Sequence, residues 1–106
     1  MPDHLPAVYE RFRERYPGVA AALDACGAAG DDAGPLDDRS RRLVKLGIAV
    51  GAGSEGAVRS STRKALELGI TPDELRHVAV LTITTAGFPA AIAGLGWIEE
   101  VLVAEA

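Results

Sequence analysis

Residues 78–97, VAVLTITTAGFPAAIAGLGW, contain no charged side chain. A run of that length is enough to cross a bilayer as one helix. Its middle argues otherwise. Gly87 can end a helix, and Pro89 fits the first turn of the next. Gly–x–Pro punctuation therefore predicts two helices meeting at a tight turn and buried in protein, with no membrane span. A helix that is apolar on every side must be covered on every side. A chain of 106 residues has few other elements to cover two such helices, so the run predicts a homo-oligomer. The small residues Ala90, Ala91, Ala93, Gly94 and Gly96 are expected to let backbones approach closely across a subunit contact.

The rest of the chain reads as helix and turn. A first helix is predicted from Pro6 to about Arg15, broken by YPG. A second is predicted from Gly18 to about Ala28, with Val19, Ala22, Leu23 and Cys26 on one face. GDDAGPL is then a loop. Asp37 is a good N-cap for a third helix, DRSRRLVKLGIAVGA, with Leu43, Leu46, Ala49 and Val50 on its apolar face. A fourth helix is predicted from Ser54 to Leu68, stopped by Gly69. It carries a charged stripe of Glu55, Arg59, Arg63 and Glu67 at i, i+4 steps. The fifth opens with a T-x-x-E capping box, Thr71 and Glu74, with Pro72 between and Ile70 and Leu75 spaced as a hydrophobic staple. The sixth is predicted from Phe88 to Val103. No segment alternates polar and apolar residues between turns, so the expected fold is all-α with about six helices and no strand. The length suits a single domain over 1–106, with N-terminal helices in 6–30 and a core in 36–103.

Composition narrows the function. Net charge is −4, which argues against nucleic acid as a partner, since phosphate binding needs clustered Lys and Arg. Cys26 is the single cysteine, so neither an intrachain disulfide nor a C-x-x-C pair can form. It is expected to be a buried, inert thiol. The charged N-terminus MPDHLPAVYERFRERYPG has no apolar h-region, which predicts no signal peptide and a cytoplasmic protein. His4 lies in this terminus and is assigned no role. No His, Cys, Asp or Glu cluster has metal-ligand spacing. GAGSEG follows a helix and lacks the phosphate-loop Lys. No metal and no cofactor is expected.

Three stretches, LDDRSRRLVKLGIAV, VRSSTRKALELGITPDELRHV and TTAGFPAA, resemble the carboxymuconolactone decarboxylase and alkylhydroperoxidase D-like family over about residues 36–103. The resemblance implies an all-α fold with a central antiparallel helical hairpin, and homo-oligomers, commonly trimers or hexamers. Redox members of that family carry C-x-x-C and a following His at the start of the helix matching the fourth one here. They also carry a Glu in the preceding helix. The positive end of a helix favours a thiolate, and the His and Glu can relay its proton. Laid onto this chain, the Cys positions are Ser54 and Ala57, the His position is Ser61, and the Glu position is Arg42. The decarboxylase members keep a His in a run like R-x-H, which here reads Arg59, Ser60, Ser61. The family's redox and base residues are thus replaced.

The remaining candidates have plain readings beside functional ones. Ser54 has no neighbouring base to activate it and reads as an N-cap. Ser61 reads as a packed serine that bonds back to its own turn, or as a ligand contact. Glu55 is favoured in a first helical turn and is also a candidate general acid or base. His77 lies at i, i+3 from Glu74 and is expected to pair with it, and it is also a candidate catalytic base. Two functions follow. The first is a family member that is not catalytic, serving as a small-molecule binding or assembly module. The second is a cofactor-free decarboxylase or isomerase acting on a small carboxylate or lactone. It would use Glu55 or His77 as base and Arg42 or Arg59 as anion contact. Thiol peroxidase activity is the least favoured, because function belongs to sites and not to folds.

Overall fold

The computed structural model describes residues 6–106, so His4 lies outside the described residues. Six helices follow one another, and no strand occurs among these residues: α1 (Ala7–Arg15), α2 (Pro17–Asp32), α3 (Asp38–Ala52), α4 (Glu55–Glu67), α5 (Pro72–Ala86) and α6 (Phe88–Glu105). They divide into two compact units, one ending at Pro35 and one spanning Leu36–Ala106.

The first unit is a pair of helices joined at Tyr16, with Pro17 opening α2. Arg13 ties the pair together. Its Nη1 and Nη2 donate to the two carboxylate oxygens of Asp24 at 3.1 and 2.5 Å, and its guanidinium lies 5.6 Å from the centre of the Tyr9 ring. Two expectations fail here. The helix α2 runs on through Gly30, Asp31 and Asp32, which the composition assigned to a loop. Its periodic face is exposed: Val19 is 53% and Leu23 56% accessible, and Cys26 is an exposed thiol rather than a buried one. Spacing marks which residues share a face. It does not supply anything to cover that face, and a two-helix unit has no further layer of its own.

In the second unit α3 and α6 each pack on α4 and α5, and α5 and α6 form the hairpin. The joints explain the path of the chain. Asp37 caps α3 by accepting from the Ser40 amide at 2.8 Å. Gly53, at φ +66°, closes α3 with a left-handed residue that costs glycine little. The Gly53 amide donates to Val50 and the Ser54 amide to Ala49, the two bonds of a Schellman ending. The α4–α5 joint repeats this design, with Gly69 donating to Leu66 and Ile70 to Ala65. The Thr71–Glu74 capping box then starts α5 with both of its bonds made. Ile70 and Leu75, spaced as the staple, are 2% and 0% exposed. Gly87, at φ +97°, ends α5 and begins α6 by itself.

The core is small and tightly filled: Leu46, Val50, Val58, Ala65, Leu75, Ala79 and Ile98 are almost wholly buried. Gly94 and Ala91, expected at a contact between copies, are buried inside this chain. By contrast Val80, Leu81, Ile83, Phe88 and Ile92 stay 38–60% exposed, so one chain does not cover its own hairpin.

Candidate functional site

Ser54 occupies the joint between α3 and α4. Its amide completes the Schellman ending of α3, and its carbonyl accepts the first bond of α4, from Val58 at 2.9 Å. Its backbone is therefore an N-cap, as its sequence position suggests, but the side chain makes no capping hydrogen bond. Ala57 stands in the first turn of α4, exposed like Ser54.

Two turns further along α4, Ser61 is 6% exposed and meets α3. The Arg42 Nη1 reaches the Ser61 Oγ at 3.5 Å in a half-buried setting. The side chain that bonds back to its own turn is the next residue, Thr62, whose Oγ1 donates to the Val58 carbonyl at 2.7 Å. Helices α3 and α4 thus bring Arg42 and Ser61 together across 19 positions of sequence. The hydroxyl gives Arg42 no countercharge, and no carboxylate among the described residues pairs with it. Arg39, Arg59 and Arg76 all face carboxylates instead.

The other candidates group differently. Glu55 accepts from Arg59 Nε at 3.0 Å, and Arg59 Nη2 donates to Glu100 on α6 at 2.5 Å. The Glu100 hydrogen bond, followed by the one to Glu55, raises the Arg59 pKa above its ordinary value. Arg59 is therefore already spanned by two carboxylates. His77 is exposed on α5 and does not take the partner expected for it. The Glu74 carboxylate is held by the Thr71 amide and by Arg39 of α3, which push its pKa down to about 2. Among the described residues no group of three or more His, Cys, Asp or Glu side chains is placed to hold a metal ion. None of their helices is long and apolar enough to cross a membrane.

Sequence reasoning did not find a groove of about 670 Å³ between α3 and α5. Leu43, Val44, Gly47 and Ile48 form one wall, with Val78 and Leu81 opposite. The available signal was Gly47 and Gly51, spaced i, i+4 on the side of α3 that carries Val44 and Ile48.

A match to the carboxymuconolactone decarboxylase family spans residues 16–100. The chain belongs to that family. Its family region begins before α3 and takes in α2, earlier than the boundary near residue 36 that the motifs suggest. Among relatives, an uncharacterized protein of Methanocaldococcus jannaschii is 36% identical over 66 residues. That match spans 62% of each chain, so it covers under two thirds of the relative's length. A crystal structure of an apo carboxymuconolactone decarboxylase family protein from Legionella pneumophila has a similar fold. It superposes with a TM-score of 0.75 at 22% identity, covering 88% of this chain and 86% of that one.

Proposed function

We propose that this carboxymuconolactone decarboxylase family member does no thiol chemistry and instead holds a small anion beside Arg42, as a binding or assembly module. The observation that carries this reading is the half-buried Arg42 guanidinium facing the Ser61 hydroxyl, with no carboxylate among the described residues to neutralise it. A partly desolvated cation is stabilised by a countercharge, and a bound carboxylate supplies one through charge-assisted hydrogen bonds. Ser54 and Ala57 provide no thiolate, and the one thiol, Cys26, sits in the other compact unit. Glu55 and Arg59 satisfy one another, which weakens the case for either in acid–base chemistry or anion capture.

Self-association completes the proposal. The exposed Val80, Ile83, Phe88 and Ile92 on α5 and α6 form an apolar face suited to a closed homo-oligomer, a trimer or hexamer.

Calorimetric titration with benzoate tests the anion site. Benzoate is expected to bind the wild type and an Arg63→Gln control, and to lose at least ten-fold in affinity in Arg42→Gln. Equal binding to all three proteins overturns the proposal. So does dithiol-dependent peroxide consumption that disappears in Cys26→Ala.

A further inference from the structure

The groove between α3 and α5 is built from different residues than the Arg42 position, and its shape and chemistry point to a different occupant. Helices α3 and α5 run side by side in the same direction: Arg39 meets Glu74 near their starts, Gly47 lies beside Val78, and Gly51 lies beside Ala86 near their ends. A Cβ added at Gly47 would stand 3.7 Å from Val78 Cγ1, and one at Gly51 3.7 Å from Ala86 Cβ. With hydrogens there instead, the floor of the groove is backbone, and Val44, Ile48 and Leu81 stand along it, 49%, 65% and 60% exposed. Between Leu43 and Gly51 the wall of α3 is on the order of 12 Å long at 1.5 Å per residue.

The volume, about 670 Å³, falls in the range of small-molecule sites, which are mostly apolar with a few polar groups that fix orientation. Here the ionisable groups gather at one end. The Arg39–Glu74 ion pair bridges the two helices there, and His77 stands one turn further along α5. The bridge neutralises itself. A carboxylate head would face the Glu74 carboxylate, and an ammonium head would face Arg39. The His77 imidazole has an N–H to donate in either protonation state. In the middle of the groove the Thr82 hydroxyl gives its proton to the Val78 carbonyl at 2.9 Å, and the other hydroxyl of the lining, Thr85, stands towards the far end beside Ala86.

We propose that this groove binds an elongated apolar small molecule with an uncharged carbonyl or hydroxyl head, the tail lying along Val44, Ile48 and Leu81 and the head accepting from His77. The apolar face proposed for self-association lies on another side of α5, around Val80 and Ile83, with Phe88 and Ile92 of α6, so the two occupants do not compete.

The test uses the full chain with Nile red as a fluorescent reporter, displaced by 2-undecanone, undecanoate or undecylamine. The ketone is expected to displace the reporter at least ten-fold more tightly than either charged analogue. Leu81→Asp, which puts a charge on the wall, and Ile48→Trp, which fills the space, are each expected to cost the ketone at least ten-fold. Both sites are exposed, and an unchanged thermal melt shows that folding is intact. His77→Ala is expected to weaken the ketone several-fold and leave Nile red unaffected. Displacement by all three compounds alike overturns the proposal, as does ketone binding that survives both wall variants. A fall in particle mass by light scattering for Leu81→Asp also overturns it, since a second copy of the chain would then be the occupant.

Discussion

Gly94 of α6 lies against Val50 of α3 so closely that a Cβ at position 94 would stand 2.7 Å from Val50 Cγ1 and 2.9 Å from Cγ2. Val50 is fully buried and branched, so it has little freedom to turn away. This contact fixes the separation of α3 and α6 and, through it, the depth of the core.

Gly94→Ala is therefore expected to destabilise the fold. Overpacking typically costs about 1–3 kcal/mol. The intrinsic gain of Ala over Gly in a helix offsets about 1 kcal/mol of that. A net loss of up to roughly 2 kcal/mol in urea denaturation is the expected outcome. Gly96→Ala, where a Cβ meets nothing within 4 Å, is expected to stabilise by about 0.5–1 kcal/mol. Equal effects at the two positions would show that the close approach does not govern this interface.

The capping box makes a pH prediction. The Thr71 amide and Arg39 hold the Glu74 carboxyl down at about 2 in the folded chain, below its ordinary value. The folded state thus binds the proton less readily than the unfolded one, and stability from this group is present above the unfolded pKa. It is lost as pH falls through the folded value near 2. The melting temperature of the wild type should fall over that window, and Glu74→Gln should fall less steeply. Thr71→Ala should cost about 1 kcal/mol at neutral pH. Parallel wild-type and Glu74→Gln profiles would remove Glu74 from the account.

The apolar face around Ile92 predicts the oligomeric state. Light scattering of the wild type at micromolar concentration should give a mass well above the 11.0 kDa of one chain. Ile92 is 48% exposed in a single chain, so Ile92→Asp should fold and shift the mass towards the monomer. A wild-type monomer would overturn the proposed assembly.

The geometry at the start of α4 predicts that redox chemistry can be partly rebuilt. Ser54 is the N-cap, and Ala57 is three residues into the first turn. Cysteines at these two positions stand within disulfide reach. Ser54→Cys with Ala57→Cys, accompanied by Ser61→His and Arg42→Glu, should form a reducible intrachain disulfide under mild oxidant. Thiol counting that finds the pair still reduced would place the family positions elsewhere.

The caps and breaks of α3 to α6 could be read from the sequence because they are local. Asp37 with Ser40, Thr71 with Glu74, and Gly69 and Gly87 act within a few residues of themselves. The Gly–x–Pro break that divides the uncharged run is local in the same way. Motif order also carried family membership. The end of α2 was not legible, because Gly30, Asp31 and Asp32 are weak helix formers that still continued the helix. The fate of the face bearing Val19, Leu23 and Cys26 was not legible either, since periodicity names a face but not its cover. Only the tertiary structure decided which partners distant charges take. Glu74 went to Arg39, 35 positions away, and not to nearby His77, because the packing of α3 on α5 set a guanidinium at that carboxylate. Arg42 met Ser61, and Gly47 and Gly51 opened a groove, for the same reason. Each depends on where two helices cross, and a crossing is fixed by close contacts such as Gly94 on Val50, which neither stretch of sequence specifies alone.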